Sequence, residues 1–270
     1  MTAILVTGGN TGIGYALCKY LLFNTKYDVI LGSRNVIKGE QAVTSILESI
    51  GAGEALIVRS RIKAVQLDVT DAKSVTNAAE SLKHMIFYAV VNNAGTGFAH
   101  VGIDPQTIIQ TNLFGVKRVT EAFLPLLSPQ KNLPRIIMVA SGAAPDYISN
   151  QILLHSESGQ ILSSNESTWG QLEGLVSTFL HLNTDEMSEM SRKKRNEEVY
   201  DLSKACVANY AMQLARIYPE INISSCNPGF IQTNMSMGYG AQKKPDEAIQ
   251  VFQHLLGHQL YQLMLIDNIE

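Results

Sequence analysis

One stretch limits the possible folds of this 270-residue chain more than any other: TGGNTGIG, Thr7 to Gly14. It directly follows an apolar, β-prone run and opens a segment of helical period. Gly8, Gly12 and Gly14 stand where a tight turn, a close backbone approach and a close helix-to-strand contact each exclude a Cβ. The helix that starts there presents N–H groups and the positive end of its dipole to a pyrophosphate. A glycine-rich turn means little alone; its significance comes from the strand before it and the helix after it.

The rest of the chain repeats that alternation. Short β-rich apolar runs lie at about 3–8, 28–33, 62–68, 87–92, 135–141 and 221–226, with a weaker seventh near 261–266. Segments of helical period fall between them, at about 12–24, 35–50, 71–84, 105–127, 198–217 and 245–257. Thr70-Asp71 and Asp104-Pro105 supply capping chemistry to two of these. Strands alternating with helices predict a parallel sheet covered on both faces. Between Ser141 and Tyr200 the alternation breaks, first into a polar stretch from Asp146 to Thr168 and then into TWGQLEGLVSTFL, whose apolar stripe reads as packing. The expected class is therefore α/β: one domain over 1–270, a doubly wound, Rossmann-type parallel sheet, with a helical insertion at about 146–196 on the substrate side.

Composition removes several functional classes. A formal charge of -3 gives no electrostatic footprint for nucleic acid, and the one dense basic run, Arg192 to Arg195, is bracketed by glutamates. Cys18, Cys206 and Cys226 form no C-x-x-C and are odd in number, which fits a reducing compartment and packing roles. The apolar runs are too short to cross a bilayer, and neither end of the chain carries a recognised targeting pattern, so the cytosol is expected. His254 and His258 have the spacing of a metal pair but no glutamate between them, and no metal site is expected.

Proton-transfer chemistry points to a tyrosine. Tyr-x-x-x-Lys places both side chains on one helical face, yet it occurs three times, at Tyr15/Lys19, Tyr200/Lys204 and Tyr239/Lys243. Tyr15 follows the glycine loop by one residue, far from where a reacting ring would lie. Tyr239 sits in MGYGAQKKP, whose glycines and proline argue against a helix. Tyr200, in EVYDLSKA, lies on a long helical run after the fifth strand, near the carboxyl-end cleft of an open sheet. A phenol titrates near pH 10, and the Lys204 ammonium is expected to pull that value down. At the end of the second strand, Ser33 and Arg34, with no acidic residue, suit a 2′-phosphate and so favour NADP(H).

Further stretches then fall into order: LDV at Leu67 to Val69, NNAG at Asn92 to Gly95, Asn112 in TNLFG, Ser141 after the fifth strand, YDLSK, and NPG at Asn227 to Gly229. Together they resemble the classical short-chain dehydrogenase/reductase family across nearly the whole chain. TGGNTGIG, the arginine ending the second strand, the long insertion and the PGF stretch are similar to its monomeric NADPH-dependent carbonyl reductases. That resemblance implies a monomer that reduces a small-molecule aldehyde or ketone. It implies cofactor contacts at Asn10, Ile13, Arg34, Asp68, Val69, Asn92, Ala94, Gly95, Tyr200, Lys204, Pro228, Ile231 and Thr233, beside Gly8, Thr11, Gly12, Gly14 and Gly229. Tyr200 is implied as the acid, Ser141 as a second hydrogen-bonding group on the substrate oxygen, and Asn112 as the holder of a water near Lys204. Thr11 stands where many NADPH-preferring relatives carry a base, and VASGAAP replaces their usual paired serines. The alternative is a non-catalytic NADP(H) sensor on the same scaffold.

Overall fold

The structure, a computed structural model, describes residues 2–97, 103–128, 133–181 and 189–257. Six strands make one parallel sheet: β1 (Thr2–Thr7), β2 (Asp28–Ser33), β3 (Ile62–Gln66), β4 (Ile86–Asn92), β5 (Arg135–Val139) and β6 (Asn222–Cys226), in the order β3-β2-β1-β4-β5-β6. The expected seventh strand at 261–266 lies outside the described residues. The central strands β1 and β4 are buried on both faces, which is why they read as unbroken apolar runs instead of alternating ones.

The helices are α1 (Gly12–Asn24), α2 (Val36–Glu48), α3 (Ala52–Val58), α4 (Ala72–Ser81), α5 (Pro105–Ile109), α6 (Gly115–Phe123), α7 (Ala143–Leu153), α8 (Glu157–Ser163), α9 (Trp169–Leu180), α10 (Glu189–Ile217) and α11 (Ile249–Leu256). Alternate residues of each strand feed opposite layers. Ile4 and Val6 pack under α1, α2 and α11, whereas Ala3 and Leu5 face α4 and α6, and Ile136 and Met138 meet α10. Because strand order reverses between β1 and β4, a crevice opens at their carboxyl ends.

The chain departs from the sequence expectation in four places. The segment expected as one helix over 105–127 is broken: a π-helical turn, Gln110–Phe114, separates α5 from α6. Gly115 follows that turn, where a Cβ would stand 2.8 Å from Val69 Cγ2, so only glycine lets it close against the β3–α4 loop. Helix α3 was not expected; it buries no residue and so has no apolar periodicity to announce it. The polar stretch 146–168 contains most of α7 and all of α8, joined through His155 at φ 50 and capped by Ser156, which accepts from Gly159 N–H at 3.0 Å. Finally, the tyrosine-bearing helix begins at Glu189, nine residues before the expected 198, so the end of the insertion is continuous with α10.

A buried polar network fastens the insertion to α10. Asn209, fully buried, donates to the carbonyls of Leu162 (3.0 Å) and Ser164 (2.9 Å), and its oxygen accepts from Ser167 (2.7 Å) and Gln213 (2.8 Å). Each group is satisfied, as burial demands.

Candidate active site

The glycine loop is built by exclusion. Gly8 has φ +64, and a Cβ there would stand 3.0 Å from Ala94 Cα. At Gly14 the same atom would lie 2.4 Å from the carbonyl oxygen of Gly8. Gly12, at φ +56, faces Thr233, whose Cγ2 would be 3.2 Å away. The loop is thus pressed between the end of β4 and the segment after β6. Thr7 Oγ1 accepts from the N–H groups of Asn93 (3.0 Å) and Ala94 (2.9 Å), while Asn93 Nδ2 donates to the Thr7 carbonyl at 2.8 Å.

Helix capping separates α1 from α2, α4, α5 and α8. The side chains of Asn35, Asp71, Asp104 and Ser156 each accept from the first turn of the helix they precede. Thr11 precedes α1 and makes no such bond. The orphan N–H groups at Gly12 to Gly14 therefore lack the side-chain oxygen that those four helix starts receive, in a cradle built of glycines. This arrangement fits a pyrophosphate. A cavity of about 510 Å³ adjoins it, bounded by Thr11, Gly12, Gln232, Thr233, Met237 and Pro245. Asn10 and Ile13 are half-buried in the same turn.

The end of the crevice expected to take the ribose lies at β2 and β3, where Ser33 pairs in register with Gln66 and Leu67 N–H donates to the Ser33 carbonyl at 2.8 Å. Arg34 is exposed there, while the Ser33 hydroxyl is turned to the Asn35 carbonyl at 2.8 Å. Asp68 Oδ1 accepts from the Thr70 N–H at 2.9 Å and its hydroxyl at 2.7 Å, and Val69 is buried against Gly115. At the far end, Asn227 Oδ1 accepts from Gly229 N–H at 2.9 Å, and Gly229, at φ +92, turns the chain past Pro228 into buried Ile231. Thr233 starts a 3₁₀ turn over Gly12.

The Asn92 side chain is buried and donates to Thr120 Oγ1 at 3.0 Å on the α6 side, so it faces the core and not the crevice. Its neighbour Asn93, which the sequence reading had not singled out, braces the loop instead.

Asn112, Ser141, Tyr200 and Lys204 converge. Lys204 is buried at 4% exposure, donates from Nζ to the Val139 carbonyl at 2.8 Å and stands 5.8 Å from the Tyr200 ring centroid. Ser141 hydrogen-bonds to the Tyr200 phenol, and its oxygen also accepts from Ala143 N–H at 3.2 Å, the start of α7. Asn112, on the π turn, accepts from Thr96 N–H (2.8 Å) and donates to the Thr96 carbonyl (2.9 Å). Gly95 completes the group: a methyl on it would lie 3.3 Å from Asn112 Oδ1 and 3.5 Å from Lys204 Nζ.

The electrostatics reverse one expectation. The Tyr200 phenol is raised above its ordinary value, because burial disfavours the phenolate more than Ser141 helps it, with Asp201 adding to the rise. Lys204 is not among the causes. Its own ammonium is pushed down to about 8 by burial. The expected downward pull assumed a charge close to the hydroxyl in solvent-like surroundings, whereas here both groups are desolvated and the ammonium is held by Val139. Asp201, next to the tyrosine, is pushed up to about 6 by partial burial and by Glu197, Glu198 and Asp146.

The other two Tyr-x-x-x-Lys pairs behave as their contexts imply. Tyr15 packs against the α1 core, and Tyr239 lies in the turn between Gly238 and Gly240, both at positive φ. Among the described residues no group of three or more potential ligands could hold a metal ion, and no helix is long and apolar enough to cross a membrane. His258 lies outside them. All three cysteines are free and buried.

Known proteins resemble this arrangement. A family model described as short chain dehydrogenase matches residues 2–153. A protein named (+)-neomenthol dehydrogenase, from Capsicum annuum, is 28% identical over 280 residues, covering 88% of this chain and 86% of its own. Carbonyl reductase (NADPH) 1 of Homo sapiens is 28% identical over 260 residues, covering 91% and 87%. Among solved structures, salutaridine reductase from Papaver somniferum superposes with a TM-score of 0.75 at 26% identity, covering 93% of each chain.

Proposed function

Because the chain belongs to the short chain dehydrogenase family, we propose that it reduces an aldehyde or ketone to an alcohol with NADPH, using Tyr200 as the general acid. The observation that carries this reading is the convergence of Ser141 on the Tyr200 phenol beside a buried ammonium, at the carboxyl ends of β4 and β5. Relatives named as reductases and dehydrogenases of small carbonyl and alcohol compounds, one with NADPH in its name, support the substrate class and the cofactor.

When bound, the reduced nicotinamide supplies the hydride. The residues of this chain do the rest. The α1 N-terminus and Gly12 would hold the pyrophosphate, Arg34 would offer a guanidinium to a 2′-phosphate, and Thr233, which packs on Gly12, would cover the cofactor beside them. Tyr200 donates its proton to the carbonyl oxygen, and Ser141 donates a second hydrogen bond that polarises the same atom. A phenol raised by burial stays protonated at neutral pH, which is the state an acid needs before each turnover. Lys204 would return the proton through a water held by Asn112.

Tyr200→Phe tests the assignment. NADPH oxidation with an activated ketone is expected to fall about a thousandfold, the scale of a lost general acid, while NADPH affinity by fluorescence titration stays within about twofold. Unchanged turnover removes Tyr200 from the reaction. Tight NADPH binding by the wild type with no turnover across a carbonyl panel replaces the reductase with a sensor, and equal use of NADH removes the role given to Arg34.

A further inference from the structure

A fifth side chain belongs to this group and is invisible in its usual inventory. Ser203 lies on α10 three residues after Tyr200 and is fully buried. Its Oγ donates to the Tyr200 carbonyl at 2.6 Å. A serine hydroxyl has one proton, so toward every other neighbour Ser203 can only accept. The neighbour is Asn112 Nδ2, at 3.1 Å.

The consequence reaches the Asn112 amide. Its two N–H donors are both spent, one on the Thr96 carbonyl and one on Ser203, and its oxygen takes the Thr96 N–H. The remaining lone pair of Oδ1 borders the space beside Gly95 that Lys204 Nζ also borders. Were the amide reversed, Nδ2 would meet the Thr96 N–H and point donors at an ammonium. The π turn contributes as well, since it brings Asn112 to α10 at a register that a regular helix over 105–127 would not give.

We propose that Ser203 is a positioning residue for the reaction: by giving its only proton to the Tyr200 carbonyl it accepts from the Asn112 amide, joins Thr96 in holding that amide's oxygen at the space it shares with Lys204 Nζ, and ties the π turn to the turn of α10 that carries the acid. This rests on the reductase reading above. It assigns Ser203 no contact with substrate or cofactor.

Ser203→Ala, Ser203→Thr and wild type are compared for kcat, KM, NADPH affinity, melting temperature and the pH dependence of kcat. Threonine keeps a hydroxyl that can bond the carbonyl of the preceding turn, so it controls for loss of the group against change of the site. Ser203→Ala is expected to lose about tenfold in kcat, with KM and NADPH affinity within about twofold, and to move the alkaline limb of kcat to lower pH as the ammonium loses its facing oxygen. Ser203→Thr is expected to recover most of both changes. A common fall in kcat and melting temperature in both variants, with the pH limb unmoved, overturns the inference and leaves Ser203 a packing residue. Wild-type kinetics in Ser203→Ala overturn it as well. If wild type turns over no carbonyl, the reductase reading fails, and titration of Lys204 Nζ by NMR of lysine-labelled protein still decides this one: its midpoint shifts in Ser203→Ala and not in Ser203→Thr, or Ser203 does not orient the amide.

Discussion

The cofactor end and the insertion end of this molecule achieve their shape by opposite means. Around β1 and α1 the geometry is set by what cannot be present: Gly8, Gly12 and Gly14 each face another atom so closely that a side chain is shut out. In α7 to α10 it is set by what must be present, a run of satisfied polar contacts through Asn209, Ser167 and Gln213. Gly159, in α8, is the insertion's exception, since a Cβ there would stand 2.6 Å from the Gln151 backbone, but Gly174 and Gly170 have open space or only ordinary contact where a Cβ would go. A surface defined by exclusion tolerates almost no variation. One defined by a side-chain network can be redrawn if the network is redrawn with it.

That contrast can be broken at either end. The largest effect is expected for Gly14→Ala, where the added methyl meets a backbone oxygen and nothing flexible can give way: NADPH affinity, by fluorescence titration, is expected to fall at least about a hundredfold, with destabilisation of about 3 kcal/mol in urea unfolding. Gly174→Ala, its counterpart in open helical surface, is expected to be neutral or stabilising by about 1 kcal/mol; similar losses at the two positions would refute the contrast. Next is Asn209→Ala, which leaves several buried partners unsatisfied and is expected to cost about 3 kcal/mol while NADPH affinity stays within about twofold. A loss of cofactor binding there would mean that the two regions are not separable.

The smallest effect concerns Asp201. Its folded-state value of about 6 exceeds its ordinary 3.8. The folded protein therefore binds more protons than the unfolded one between those limits, and stability falls as pH rises through that window. Asp201→Asn is expected to melt higher than wild type at pH 7.5 and to converge with it below about pH 4. A constant difference across that range would mean that the carboxyl is not what responds.

Legibility followed the same division. The glycine loop, α1 and the six strands could be read because a backbone constraint or an apolar run leaves a mark at each position it needs. Helix α3 left none, since a surface helix that buries nothing has no period to detect. Helices α7 and α8 were hidden by their polar composition, although the apolar stripe of α9 was legible; the cohesion of α8 depends on a partner, Asn209, some fifty residues away. The identities of Tyr200, Lys204, Ser141 and Asn112 were readable, but the direction of the Tyr200 shift was not, because it depends on burial that only the packed structure supplies. Ser203 could have been noticed from its place on the same helical face as Tyr200 and Lys204. Its bond to Asn112, across 91 positions, could not.

β1, the first of the six strands to be made, ends up in the middle of the sheet, flanked by β2 on one side and β4 on the other. Its loop is then covered by Thr233, more than two hundred residues later. A nascent chain that has emerged as far as β5 can assemble most of the sheet, yet it has neither the acid on α10 nor the cover over Gly12. Nucleotide capture and chemistry should therefore appear together, late in synthesis, and a half-made chain would offer a hydrophobic edge at β5 before it offered any activity.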